Sequence, residues 1–300
     1  EIVKMKIAII GGTGLLGSNL LKLFSEENDT VAFSRKNASN VFNKNHIIDF
    51  NMLENELTKY FNVWKPDIII NTVALVNLQL CEDDIVAANY INSDITPKIA
   101  KIADSYNSYF IHISTDDYYN DNNIIHDEEM DIKILNNYAK TKYNAEKEVM
   151  KYNNNFLIVR TNIIGYRRRS AKSFFEWLLT SLEAQETINL YANFYTSPIS
   201  VNELGNILIK CYKANLTGIY NIASREVIDK YTFGIKTAKK FGLKLDNIKK
   251  SIISNKEHSL SRALTLGLDV SKIENDLNIK MPTIDETLNN LYKEYKDNNE

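Results

Sequence analysis

The chain of 300 residues is poor in cysteine, glycine and proline, and it has no long apolar run. Its two cysteines, Cys81 and Cys211, exclude a disulfide framework and a metal cluster built on four thiolates, and they suit a reducing compartment. Its four histidines, His46, His112, His126 and His258, are scattered without metal-ligand spacing, so no metal is expected. No apolar stretch approaches the roughly 20 residues that span a bilayer, and no basic, apolar leader opens the chain. There is no excess of either charge: 36 Lys and Arg stand against 38 Asp and Glu, for a formal charge of −2. That balance gives no pull toward nucleic acid or a membrane surface. The expectation is a soluble cytoplasmic protein.

What is present is a core-forming sequence, 44% apolar, at a length that makes two domains or one large α/β unit with an appendage. Short β-branched runs alternate with helical spacing. Strands are expected at Met5–Ile10, Thr30–Phe33, His46–Asp49, Asp67–Ala74, Tyr109–Ser114 and Phe156–Thr161, with a late strand at Gly218–Ile222. Helices are expected at Leu15–Phe24, Asn51–Trp64, Asp84–Tyr106 with a kink at Pro97, and Asn136–Lys151. Near-continuous apolar strands alternating with helices argue a Rossmann-type, doubly wound parallel α/β sheet covered on both faces. After Gly165 the rhythm breaks into a basic loop and mainly helical sequence. The expected division is a dinucleotide-binding domain over 5–165, with 188–223 returning to it. A smaller substrate-binding cap takes 166–187 and 224–300, its charged end frayed.

Four of the ten glycines lie between positions 11 and 17, as Gly11-Gly12-x-Gly14-x-x-Gly17, where the first strand meets the first helix. The first glycine of such a fingerprint allows a tight turn, the second lets a pyrophosphate approach the backbone, and the third lets helix and strand pack closely. The helix N-terminus then offers N–H groups to the anion. The second strand ends Phe33-Ser34-Arg35-Lys36, with no acid for ribose hydroxyls but with donors and cations for a 2′-phosphate, which favours NADP(H). Tyr138-x-x-x-Lys142 puts a phenol and an ammonium on one helical face. The spacing alone says little, because Tyr143/Lys147 and Tyr292/Lys296 share it in a chain with 17 tyrosines. Position selects Tyr138: its helix follows Ser114-Thr115-Asp116 at the carboxyl end of the fifth strand, where open α/β sheets bind ligands.

The glycine turn, Asn71 to Ala74, Glu82, Ser114-Thr115-Asp116, Asn136-x-Tyr138-x-Lys140-x-Lys142, Arg160-Thr161, Ser197-Pro198, Arg262 and Leu268-Asp269-x-Ser271-Lys272 fall in order along nearly the whole chain. In this the sequence resembles the dTDP-4-dehydrorhamnose reductase family of extended short-chain dehydrogenases. The resemblance implies Thr115, Tyr138 and Lys142 as the catalytic set. It implies cofactor contacts at Gly11, Thr13, Gly14, Leu15, Gly17, Arg35, Asp49, Phe50, Val73, Ala74 and Asn92, and at Tyr138 and Lys142, whose ammonium would hold the nicotinamide ribose, with Ser34 joining Arg35 at the 2′-phosphate. The implied activity is NADP(H)-dependent reduction of the C4 ketone of a nucleotide-linked 4-keto-6-deoxysugar, for deoxysugar and polysaccharide biosynthesis. A homodimer is compatible with it.

Two segments depart from the family pattern. Arg160-Thr161-Asn162-Ile163 lacks an aromatic residue that would flank the sugar, and Asp117 stands where the reductases have an aromatic residue. The Thr115-Asp116-Asp117 run looks instead like the sugar-nucleotide 4,6-dehydratases, whose paired acids perform an elimination; paired carboxylates also simply cap turns. The alternatives are therefore a dehydratase or epimerase using Asp116 and Asp117, and a non-catalytic NADP-binding subunit, since the β subunit of methionine adenosyltransferase resembles this family. Asp116, Asp117, Arg167, Arg262 and Lys272 are the candidates for substrate contact, with Arg167 to Arg169, Arg262 and Lys272 as the candidates for the substrate pyrophosphate. A solvated charge run is the commoner meaning of Arg167-Arg168-Arg169.

Overall fold

The computed structural model describes residues 4–36, 44–121, 123–169, 171–254 and 260–299; His258 lies outside the described residues. The chain forms two compact units, one of residues 1–115, 136–159 and 205–220, the other of 116–135, 160–204 and 221–300.

The first unit is built on a seven-stranded sheet. Its strands, in chain order, are Lys6–Ile10, Asp29–Ser34, Asn45–Ile47, Ile68–Asn71, Tyr109–Ile113, Phe156–Arg160 and Gly218–Asn221. Across the sheet they run third, second, first, fourth, fifth, sixth, seventh, and the first six pair in parallel. The order reverses between the first and fourth strands, which makes the crevice beyond their carboxyl ends the topological switch point. The register sets Ala8 beside Ile69 and Ile69 beside Phe110. Alternation then sends these residues to one face, where they pack with Phe33, Leu57, Phe61, Ile95 and Ile99. The other face is covered as well: Ile7, Ile9, Ile68, Ile70 and Ile111 are all fully buried. Burial on both sides is why these strands read as unbroken apolar runs.

All seven expected strands are found. The long helix expected over Asp84–Tyr106 is interrupted, but upstream of Pro97. Helices Leu78–Asp83 and Ile85–Asn89 lead into a wider π turn at Tyr90–Asp94, and a regular helix resumes at Ile95–Ser105. Pro97 thus sits in the first turn of the last helix, where its missing N–H is tolerated. The π turn directly upstream includes Ser93, whose carbonyl, four residues back, is the one that a proline ring would crowd in a regular helix.

The second unit packs helices Phe174–Glu183, Lys230–Phe241 and Ile284–Asn299 around a two-stranded parallel ladder of Ile188–Tyr191 and Ile248–Ser251. Its core gathers Phe175, Leu178, Leu182, Leu190, Phe233, Leu288 and Leu291. The segment 188–223 is therefore shared. Residues 205–220 return to the first unit, whereas Ile188–Tyr191 stays in the second because its strand partner is there. The charged C-terminal stretch forms a regular helix instead of a frayed end, because Ile284, Leu288 and Leu291 are buried. Among the described residues no helix is long and apolar enough to cross a membrane.

Candidate active site

The glycine turn opens the first unit's site. Gly11 has φ of +99°, a region that disfavours side chains, and its N–H donates to the Phe33 carbonyl at 2.8 Å. A Cβ on Gly17 would come 2.1 Å from the Gly11 carbonyl oxygen, so the close approach of helix to turn requires glycine there. Gly14 differs: a Cβ would meet nothing nearer than 3.6 Å, and the residue is exposed. No protein atom demands glycine at that position, so the open face is available to an approaching ligand backbone. Gly14 is also the N-cap of the Leu15–Ser25 helix, and no side chain caps it. The first-turn N–H groups are left for an anion. The residues present fit the pyrophosphate of a dinucleotide.

At the second strand's end Ser34 is buried, its hydroxyl donating to the Lys36 carbonyl at 2.8 Å and accepting from Asn45 Nδ2 at 2.8 Å. It holds the turn, and the cationic side chain next to it is that of Arg35. The Arg35 guanidinium lies 5.7 Å over the Phe50 ring, and both line a cavity of about 410 Å³ with Asp49, Asn51 and Tyr90. Asp49 caps the short Phe50–Met52 turn by accepting the Asn51 N–H at 2.9 Å. The loop after the fourth strand is held from beneath. Asn71 accepts the Val73 N–H at 3.1 Å, and Asn92 accepts the Leu75 N–H at 2.7 Å while donating to the Leu75 carbonyl at 3.1 Å. Asn92 also donates to Thr141 Oγ1 at 3.1 Å. Its amide is thus spent on tying the Val73-Ala74-Leu75 loop to the Tyr138 helix.

That helix, Asn137–Tyr152, is fixed at its start by two devices. Asn136 caps it by accepting the Ala139 N–H at 2.9 Å, and the Glu82 carboxylate takes the Asn137 backbone N–H at 2.6 Å and its side-chain amide at 2.9 Å. Lys142, one turn beyond Tyr138, is 2% exposed and donates from Nζ to the Ile113 carbonyl at 2.7 Å. This bond joins the helix to the fifth strand two residues before Thr115, which is itself buried. Burial pushes the Lys142 ammonium down to about 8, while the Glu146 carboxylate one turn further opposes that fall. Ser114 donates to Glu146 Oε1 at 2.5 Å. His112, beneath, is held well below the ordinary imidazole range by burial and then by Lys142. It is a neutral ring 3.3 Å from the Asn71 amide. Of the competing tyrosines, Tyr143 lies under Lys147, 5.0 Å from its ring centroid. Tyr292 belongs to the second unit, packed on Phe241.

In the second unit, Asp116 accepts from Asn162 Nδ2 at 2.8 Å. Burial pushes its carboxyl up to about 7, with Asn162 opposing and neighbouring Asp117 adding to the rise. Burial likewise brings Lys230 down to about 8, countered by Asp116. The Lys230 ammonium lies 4.4 Å from the Phe174 ring centroid and 5.4 Å from that of Phe194. Asn162, the departure from the family pattern, is therefore Asp116's partner. Arg160 is buried, donating to the Tyr119 hydroxyl at 3.0 Å and stacked over Tyr118. The two late motifs meet where Ser197 Oγ accepts the Leu268 N–H at 3.1 Å. Lys272 lies near enough to the half-buried Glu128 for their charges to interact, and Arg262 is half-buried.

Sequence reasoning missed Glu146, His112 and Lys230. Glu146 carried a signal, four residues after Lys142 on the same face. Lys230 carried none, because only the fold brings it to Asp116.

The RmlD substrate binding domain family model matches residues 5–297. The probable low-salt glycan biosynthesis reductase Agl14 of Haloferax volcanii is 24% identical over 294 residues, 96% of this chain and 98% of that protein. Methionine adenosyltransferase 2 subunit beta of Bos taurus is 23% identical over 282 residues, 91% of this chain and 83% of that protein. The crystal structure of dTDP-4-dehydrorhamnose reductase from Bacillus anthracis in complex with NADP superposes with a TM-score of 0.83 at 23% identity, covering 97% of this chain and all of that one.

Proposed function

Because the chain belongs to the RmlD substrate binding domain family, we propose that it is an NADP(H)-dependent reductase of a nucleotide-linked 4-keto-6-deoxysugar. Bound NADPH supplies the hydride that goes to the carbonyl carbon. The chain's own residues manage the other half of the reaction. The Tyr138 phenol gives its proton to the oxygen on which negative charge develops, and the Lys142 ammonium stabilises the phenolate left behind. Thr115 hydrogen-bonds the same carbonyl oxygen. Gly11, Thr13, Gly14, Leu15 and Gly17 hold the cofactor's pyrophosphate, Arg35 its 2′-phosphate, and Val73 and Ala74 border it. Asp116, Asp117, Arg262 and Lys272 stand as candidates for the sugar side.

One observation carries the reading: the buried Lys142 Nζ on the Ile113 carbonyl ties the Tyr138 helix to the strand that leads into Thr115. A purified sample given a 4-keto-6-deoxysugar nucleotide should consume NADPH one for one with loss of the ketone. Tyr138→Phe should lower turnover by about 10²–10⁴-fold and leave NADPH affinity unchanged.

A second reading has support in the Asp116 carboxyl, whose rise to about 7 suits acid–base work in a 4,6-dehydratase. A dehydratase would convert an intact hexose nucleotide with no net change in NADPH absorbance, and Asp117→Asn would abolish it. A purely scaffolding role, suggested by the likeness to a methionine adenosyltransferase subunit, predicts no turnover with either substrate.

A further inference from the structure

Three consecutive arginines, Arg167, Arg168 and Arg169, follow Tyr166 in the second unit, and the structure separates them. Arg168 is spent. Its guanidinium bridges Glu294 at 2.5 Å, lies over the Tyr166 ring, and its backbone N–H donates to Glu176 Oε1 at 2.7 Å. Its φ of +57° is left-handed, which a residue with a side chain holds only when its surroundings fix it. Arg167 and Arg169 are different. Arg167 Nε and Arg169 Nη2 are both buried from solvent, and neither has a hydrogen-bond partner among the described residues. The Arg167 side chain makes a long bond, 3.5 Å from Nη1 to the Ala171 carbonyl.

The two guanidiniums also repel each other. Arg169 is held below the ordinary arginine range, first by burial and then by the charge of Arg167. The acids nearby are already engaged. Glu294 takes Arg168, and Glu176 takes the N–H groups of Arg168 and Ser173, the latter at 2.8 Å, in the capping box that opens the Phe174–Glu183 helix. Ser173 Oγ accepts the Glu176 N–H at 3.1 Å and donates to the Gly165 carbonyl at 2.6 Å. The helix start thus satisfies itself, and the arginines beside it do not. Two cations with buried, unmet donors and a mutual repulsion suit an anion with several acceptor oxygens. Guanidinium forks suit phosphoryl oxygens in particular.

We infer that Arg167 and Arg169, without Arg168, form a binding site for a diphosphate, namely that of the sugar nucleotide. The identity of that diphosphate as the substrate's rests on the reductase reading above; the anion site itself does not. The cofactor's own phosphates are met in the first unit by the glycine turn and Arg35.

Equilibrium titration of the whole protein with dTDP, UDP and inorganic pyrophosphate, with NADPH in a parallel arm, tests this. The Arg167→Gln/Arg169→Gln double variant should lose at least tenfold in affinity for the diphosphates and keep its NADPH affinity. Its ligand-free melting temperature should equal or exceed that of the parent, because the repulsion is gone. Arg168→Gln should do the reverse, melting lower through the lost Glu294 bridge while binding diphosphate as before. Arg167→Lys/Arg169→Lys keeps the charges without the forks and should bind with intermediate strength. Diphosphate affinities within twofold across parent and double variant would overturn the inference. So would a loss of NADPH affinity in place of diphosphate affinity, which would give the arginines to the cofactor. Diphosphate binding that depends on both arginines, in a protein that reduces no 4-keto sugar nucleotide, would sink the reductase reading and leave this site standing.

Discussion

Lys142 shows at one residue how burial prepares chemistry. The proposed reaction calls for an ammonium beside Tyr138, yet desolvation brings it down to about 8, with Glu146 opposing the fall. Its folded value lies below the ordinary 10.5, so the charge is present below pH 8 and lost as the pH rises through it. Turnover should therefore have an alkaline limb near pH 8. Glu146→Gln should move that limb to lower pH, measured as kcat against pH at saturating NADPH; a limb in the same place would remove Glu146 from the account. Arg35 makes a second prediction at this scale. It stands over Phe50 and lines a cavity with it, and the nearby Ser34 hydroxyl is committed to Lys36 and Asn45. Arg35→Asp should narrow or reverse the preference for NADPH over NADH in direct titration, while Ser34→Ala should weaken both cofactors alike by loosening the turn. The Arg35 charge was legible in the sequence. That Ser34 is a buried brace was not, because its partner Asn45 lies on the next strand.

Among the elements, the first helix and the Tyr138 helix are placed by opposite means. The first is left uncapped at Gly14 and pressed against the turn, with a side chain at Gly17 excluded by the Gly11 carbonyl. Gly17→Ala puts a Cβ 2.1 Å from that oxygen, so backbone must move. We expect at least a tenfold loss of NADPH affinity and a lower melting temperature, whereas Gly14→Ala, whose Cβ would make only an ordinary contact at 3.6 Å, should keep its melting temperature and lose affinity only. Equal melting losses in the two variants would refute this division of roles. The Tyr138 helix is instead capped twice, by Asn136 and by Glu82. Loss of an N-cap costs about 1 kcal/mol, and Glu82→Ala should cost a similar amount while lowering kcat through a looser Tyr138. Glu82 fell within the recognised motifs, but its task appeared only when the Leu78–Asp83 helix was found against Asn137.

For the whole molecule, the pH dependence of stability is set by buried charge as well as by the surface. The Asp116 carboxyl, pushed up to about 7 from an ordinary 3.8, holds its proton more tightly folded than unfolded. Its contribution is complete below about pH 4 and is lost as the pH rises through 7. Asp116→Asn keeps a neutral acceptor toward Asn162, so its melting temperature relative to the parent should climb between pH 4 and 7; a flat difference would contradict the assigned burial. The sequence by itself determined the strand order's ingredients, the glycine turn, the second-strand cation and the Tyr138/Lys142 face, because each is written in local spacing and in runs of apolar residues. Only the tertiary structure decided which of the three arginines keep buried donors unpaired among the described residues, that Asn162 and Lys230 act on Asp116, and that residues 188–204 belong to the second unit while 205–220 belong to the first. Those outcomes depend on partners distant along the chain, and on burial, which no local pattern encodes.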